Sequence, residues 1–356
     1  MFFLDTCYNS NLNNFVLWVA KYGGAYKMSY VLLDGKTITT KDKKIYIGDR
    51  VNRKCRFCNK TNRETVFGKK LDSAHALPEM IGNRTLFTLE ECTDCNKIFG
   101  QIIETDFGNF FKPEHNLFRI EGKKKERKNK DEKTRIPIYS IKETMPEKDT
   151  LKETTRISWR NDGLLHECME ENSNHIVFDL ENKLQKIKYE VDSFIPIAVF
   201  KCFVKMALTV MPRNELANFT DTINWIRSEH HMNFYNNREL LLCSFFLIEK
   251  EECIYPEIHY AIWKNDMHTC TEPHMLFQVS WGSYCYLIEI PVDRTSNCKT
   301  IAEIPPPPSM PYSRKIQPEC YNLTSNIVEK GYMKEFTVNF ENYNHIVNYP
   351  HEAPNS

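Results

Sequence analysis

Two Cys-x-x-Cys pairs, Cys55/Cys58 and Cys92/Cys95, constrain this chain more than any other feature it carries. Two close pairs of thiolates are what one tetrahedral zinc ion requires, because each pair wraps a tight knuckle and the chain between them supplies the second half of the cage. The enclosed loop therefore has fixed ends. It contains His75-Ala76-Leu77-Pro78-Glu79 and Gly82-Asn83, and Asn96 directly follows the last cysteine. A histidine and an asparagine held beside such a staple are finely positioned.

At 356 residues the chain suits about two domains. Apolar residues at 41%, with 22 phenylalanines, supply a real core and exclude a disordered chain. The formal net charge of zero hides an uneven distribution. Between Lys43 and Lys70 stand Lys43, Lys44, Arg50, Arg53, Lys54, Arg56, Lys60, Arg63, Lys69 and Lys70, against only Asp49 and Glu64. That excess suits a phosphate-facing surface, and a solvated face without a partner is the plainer alternative. Of the 13 cysteines, those outside the two pairs have no regular spacing. Phe15 to Ala20 lacks a basic lead and is too short for a signal core or a membrane span. The scattered thiols then read as small buried hydrophobes in a reducing, cytoplasmic setting, with no membrane as partner.

Along the chain, Met28 reads as an alternative start, residues 1–27 as a poorly ordered extension, and Asp34-Gly35 as the turn that closes a short strand. Ile45-Tyr46-Ile47, Leu71 to His75 and Leu86 to Leu89 read as extended, and Asp94 to Phe107 as a helix with a stripe of Ile98, Ile102 and Phe107, capped by Thr93 or Asp94. Glu121 to Lys133 is a charged linker, and Pro305 to Pro308 a stiff connector. Between them, Phe194 to Val210 is a strongly apolar helix on which Lys201 and Lys205 share a face. A second helix carries Leu216, Phe219, Ile223 and Ile226; Leu240 to Ile248 and Ile258 to Trp263 are strands; and Met275 to Ile290 is a hairpin turning at Gly282-Ser283. His230, His231 and His259 are ordinary polar residues in this reading. The fold class is α+β. The expected organisation is an extension (1–44), a zinc-stapled unit (45–120), a charged linker (121–160), a larger α+β domain of unassigned role (161–304) and a proline-led tail (305–356).

The stretches Ala74 to Asn83 and Cys92 to Gly100 resemble the HNH, or ββα-metal finger, endonucleases, in the branch reading Ala-His-x-x-Pro-Glu-x-x-Gly-Asn and Cys-x-x-Cys-Asn-x-x-Phe-Gly. The resemblance covers roughly 60 residues and implies a strand–loop–strand–helix order with cleavage of DNA, RNA being the open alternative substrate. Phage defence or restriction is the setting it suggests. His75 is then the general base, since imidazole accepts a proton near neutral pH. Asn96 offers a hard oxygen to magnesium or manganese. Relatives commonly place a second ligand just before the base; here Ala74 stands there, so the ion must find oxygen elsewhere. Glu79 is the first choice and Asp72 the second, while Asn83 either orients His75 or forms a plain turn. The competing class is a zinc-stabilised module that binds nucleic acid without cutting it.

Overall fold

Pro196–Val210 presents apolar side chains on every side of its helix, a pattern that only complete burial satisfies, and every residue of it is buried. The computed structural model describes residues 30–39, 42–68, 73–117, 120, 137–145, 150–159, 165–169, 176–179, 184–235, 238–246, 257–265, 274–282, 284–292 and 319–339. Met28, Asp72, Lys69, Lys70, the Phe15–Ala20 run, the charged linker and the polyproline stretch lie outside them.

In chain order the elements are β1 (Tyr30–Thr39), β2 (Ile45–Ile47), β3 (Ala74–His75), β4 (Leu86–Thr88), α1 (Thr93–Ile102), α2 (Glu104–Leu117), β5 (Pro137–Met145), β6 (Thr150–Trp159), β7 (Leu165–Met169), β8 (Ile176–Asp179), β9 (Leu184–Glu190), α3 (Pro196–Val210), α4 (Thr220–Arg227), β10 (Leu241–Phe246), β11 (Glu257–Asn265), β12 (Met275–Trp281), β13 (Tyr284–Glu289), β14 (Glu319–Asn322) and β15 (Met333–Asn339). Turns of 3-10 helix occupy Glu79–Ile81 and Arg213–Phe219. The chain is α+β, as its patterns predict. Among the described residues no helix is long and apolar enough to cross a membrane.

One antiparallel sheet has the order β1-β11-β12-β13-β10-β14, and a small sheet has the order β2-β4-β3. Two further three-stranded sheets join β5-β6-β7 and β15-β9-β8. The strands β12 and β13 are buried at every position and turn at Gly282, whose φ of 58° suits the hairpin expected there. Asp34-Gly35 does not turn. β1 runs straight through it to Thr39, and the register slips between Leu32 and Asp34 as a bulge. A Cβ at Gly35 would press to 3.2 Å on the carbonyl oxygen of Tyr260, so a larger residue there asks the neighbouring strand to give by a few tenths of an ångström.

The helix expected over Asp94–Phe107 is broken at Ile103, whose φ of −135° leaves the helical region. Apolar residues spaced strictly four apart drift by about 40° per step on a straight helix. Cys95, Phe99, Ile103, Phe107 and Phe111 follow that spacing and are all buried. The break realigns the second half, so that one face stays inward throughout. Buried positions in α1 are thus Cys95 and Phe99, with Ile98 and Ile102 only half-buried. Cys92, rather than Thr93 or Asp94, stands at the N-cap, without a side-chain cap.

A continuous core joins the stapled segment to the rest: Phe57 and Phe99 belong to the same buried cluster as Phe203, Trp281 and Tyr286. The two lysines of α3 share a side but not a partner. Lys205 Nζ reaches Glu91 at 3.3 Å and Glu104 at 3.6 Å, on the segments flanking α1. Lys201 Nζ instead donates to the carbonyl of Ser228 at 3.0 Å and lies 5.2 Å from the Trp225 ring. Burial pushes Lys201 down to about 8, whereas Glu91 and Glu104 outweigh burial at Lys205 and hold its ammonium above the usual range.

These environments predict opposite responses. Lys205→Met leaves the buried Glu91 carboxylate facing the half-buried Glu104 without a counter-ion and should cost roughly 3–5 kcal/mol, measured by denaturant unfolding. Lys201→Met removes an ammonium that folding disfavours, so its cost should be much smaller. With a folded pKa near 8 and a normal unfolded one, Lys201 contributes stability that grows as pH rises from 8 toward 10.5. The wild-type advantage over Lys201→Met should therefore widen across that window. An advantage that shrinks there would contradict the burial reading.

Candidate active site and metal centre

The sulfurs of Cys55, Cys58, Cys92 and Cys95 all lie within 4.8 Å of one another. A zinc–sulfur distance of about 2.3 Å gives a tetrahedron with edges of about 3.8 Å, and Cys58 and Cys92 already stand 3.7 Å apart. The first knuckle closes locally: Cys55 N–H bonds to Lys60 O at 2.8 Å, Asn59 N–H bonds to Cys55 O at 2.9 Å, and Asn59 takes the left-handed φ of 60° that asparagine tolerates. The second pair spans the start of α1, which a Phe67–Cys92 bridge and Thr93 N–H to Val66 O, at 2.9 Å, hold against the first.

Four sulfurs packed this closely cannot all ionise by themselves. The hydrogen bond from Cys95 pushes Cys55 down to about 4, while that same bond pushes Cys95 up and burial pushes Cys58 up to about 11. A divalent cation at their centre is what allows all four to be thiolates. The donor set fits structural zinc.

His75 lies on β3 opposite Phe87 of β4, and Tyr46 of β2 pairs with Phe87 from the other side in parallel register. Paired residues share a face, so His75, Phe87 and Tyr46 form one row: the His75 and Phe87 rings are 4.6 Å apart, and Phe87 and Tyr46 are 5.5 Å apart. Two cations flank the row, with Lys44 Nζ 5.1 Å from the Phe87 ring and Arg50 5.6 Å from that of Tyr46. The place of Tyr46 in the row of His75 and Phe87 was not legible, because parallel pairing across the intervening residues leaves no local signal.

The loop after His75 turns Ala76, Leu77 and Pro78 inward, leaves Glu79 and Met80 half-buried, and turns inward again from Ile81. Ala76, Leu77 and Ile81 are fully buried, and Glu79, on the 3-10 turn, brings Oε2 to 3.6 Å from His75 Nε2. Both side chains keep about a quarter of their surface exposed, at 28% and 23%. Gly82 ends the turn with φ of 95° and donates to Glu79 O at 2.9 Å. Asn83 is buried and commits its amide to the main chain: Nδ2 donates to Leu77 O at 2.7 Å and Leu86 O at 2.8 Å, while Oδ1 accepts from Leu86 N at 2.9 Å and Thr85 N at 3.3 Å. Two donors and two lone pairs are all engaged. Asn83 thereby ties the two ends of the loop behind His75. Asn96 is exposed in the first turn of α1, its N–H bonding to Cys92 O at 3.0 Å. Ala74 is buried beside Thr88.

Of the basic run, Lys43, Lys44, Arg50, Lys54, Lys60 and Arg63 are exposed. Arg56 corrects the expectation. It is buried and directed inward, pairing with Glu90 and donating to Leu208 O at 2.6 Å and Met211 O at 3.1 Å at the end of α3. Arg213 reaches Glu90 from α3's far side at 2.5 Å. Gly48 has φ of 99°, and a Cβ there would collide with the Glu90 side chain.

A histidine on the first strand of a strand–loop–strand–helix unit, with that unit stapled by four thiols, defines a ββα-metal finger. Residues 55–112 match a family model described as HNH endonuclease, a span that takes in both cysteine pairs, His75, Glu79, Asn83 and Asn96. No curated protein matches the chain, and no solved structure does. Over that span the chain is similar to nucleases, a family whose substrates are nucleic acids.

The zinc assignment predicts about one zinc per purified chain by elemental analysis. Cys92→Ser should lose the metal and the cooperative folding of residues 45–110. Full metal content in that variant, with an unchanged circular-dichroism melt, would refute the staple.

Proposed function

We propose that the protein is a metal-dependent endonuclease that hydrolyses DNA phosphodiester bonds, with His75 as general base, Asn96 and Glu79 as oxygen ligands of a magnesium or manganese ion, and Asn83 as the residue that positions the His75 loop. The observation that carries this reading is the partly exposed His75–Glu79 pair, 3.6 Å apart, on the strand and loop enclosed by the thiol cluster. A carboxylate and a neutral amide oxygen are the hard donors that magnesium accepts while keeping most of its water. When bound, the ion neutralises charge on the scissile phosphate and the leaving oxygen. His75 takes the proton of the attacking water. Its ring, held against Phe87, has little freedom to turn away, and the Glu79 carboxylate stabilises the charge the imidazole acquires. Attack with loss of the 3′ oxygen leaves 5′-phosphate and 3′-hydroxyl ends. A cytoplasmic role in phage defence or restriction is consistent with such chemistry.

The two central residues should fail differently. His75→Ala should lower the rate of plasmid nicking about 10²- to 10⁴-fold, while manganese binding, titrated calorimetrically without DNA, stays unchanged. Asn96→Ala should weaken that binding and recover part of its activity as the metal is raised. Glu79→Ala behaves as a ligand if the metal dependence shifts, and as an orienting group if only the rate at saturating metal falls. Rescue of His75→Ala by excess manganese, with Asn96→Ala silent, would overturn the roles. Tight binding without any cutting would favour the non-cleaving module.

Binding itself is assigned to the exposed Lys43, Lys44, Arg50, Lys54, Lys60 and Arg63. Affinity for duplex DNA should fall steeply with salt and vary little with sequence. Arg56→Ala should leave the salt slope unchanged, since that side chain is spent inside the fold. A flat salt titration would remove the electrostatic assignment.

A further inference from the structure

Away from the zinc cluster, β10 and β14 bring two more cysteines together. Cys243 and Cys320 are direct partners in the antiparallel ladder, and their sulfurs are 3.4 Å apart. Opposed residues of such a ladder have Cα atoms about 4.5–5.5 Å apart, inside the range a disulfide spans. Bond formation there asks for side-chain rotation and no movement of the strands. β14 is the outermost strand of its sheet, and Cys320 is exposed on it while Cys243 is buried behind. The hydrogen bond from Cys243 pushes the Cys320 thiol down to about 7, so much of it is thiolate at neutral pH. Cys202 and Cys285 offer the contrast: both are buried, and burial pushes their thiols up.

We propose that Cys243 and Cys320 form a reversible thiol–disulfide site oxidised by hydroperoxides, with Cys320 the attacking and Cys243 the resolving sulfur. The Cys320 thiolate attacks one oxygen of hydrogen peroxide; an S–O bond forms, the O–O bond breaks, and the departing hydroxide takes a proton to become water. Cys243 then attacks the sulfenic sulfur; the S–S bond forms, the S–O bond breaks, and the second oxygen leaves as water with the Cys243 proton. Two thiols have lost two electrons and the peroxide has gained them. The crosslink ties the segment from Glu319 to Asn339 to the sheet. That segment also anchors to the core through Ile197 N–H to Ser325 O at 3.0 Å, the Phe194–Glu329 bridge and the Lys334–Glu114 pair at 2.5 Å. Oxidation therefore adds a covalent bond to a segment otherwise held by hydrogen bonds, a buried ion pair and the packing of Tyr321, Leu323 and Tyr332 on the core.

The test uses the zinc-loaded full chain, titrated with hydrogen peroxide, alkylated, digested without reduction and read by mass spectrometry alongside zinc release. A Cys243–Cys320 linked peptide should appear at doses that leave zinc bound, and dithiothreitol should reverse it. The melting temperature should rise with oxidation in the wild type and stay fixed in Cys320→Ser, a substitution at an exposed edge position; Cys243→Ser should behave likewise. Zinc release before any linked peptide forms overturns the proposal, as does Cys320 ending only as sulfinic acid or in crosslinks between chains. If Cys243→Ser does not fold, the Cys320→Ser comparison and the peptide map decide the outcome between them.

Discussion

Everything near the active site depends on four sulfurs meeting at one point. Because Cys55 and Cys92 are brought together, the residues beside them, Arg56 on one arm and Glu90 on the other, become neighbours, and Arg56 N–H bonds to Glu90 O at 2.8 Å. The pair then faces the last turn of α3, where carbonyls lack helical partners. Arg56 supplies two of them with donors and places a cation at the negative end of the helix dipole. Glu90 holds the guanidinium straight and takes Arg213 as well. The staple thus fixes the finger internally and also fixes its seat on the larger core.

The loop that carries His75 and Glu79 achieves its precision differently. It is short of regular structure, and what holds it is main chain bonded to one buried amide, that of Asn83, together with apolar residues turned inward. Packing on the inner side leaves the outward residues, His75 and Glu79, to face each other at partial exposure. Met80 extends the support to α2, where Gly108 leaves room for it: a Cβ there would be 3.3 Å from the Met80 sulfur.

Spacing and motif made the staple, the strand–loop–strand–helix order and the strongly apolar α3 legible, since these depend on nearest neighbours in sequence. Partners across the fold were not legible. Arg56 reads as one more cation in a basic run until Glu90 and the end of α3 are in place beside it. Lys201 and Lys205 look equivalent at four-residue spacing, yet one finds backbone carbonyls and the Trp225 ring while the other finds two carboxylates. Asp34-Gly35 carries a turn signature, but ladder bonds on both sides of it to β11 outweigh the local preference, and the strand bulges instead. The break at Ile103 was concealed by an apolar pattern that a longer helix would also have satisfied at first.

Lys334 sits between the rings of Phe110 and Phe111, at 4.0 and 4.3 Å, and neutralises Glu114 in the middle of α2. The helix that continues the finger is therefore completed by a residue made long after it. While the ribosome is still working through the strands that precede β15, Glu114 has been made but its counter-ion has not. Translation order imposes a delay: the nuclease domain's sequence leaves the exit tunnel early, and its full packing waits for the chain's last described strand.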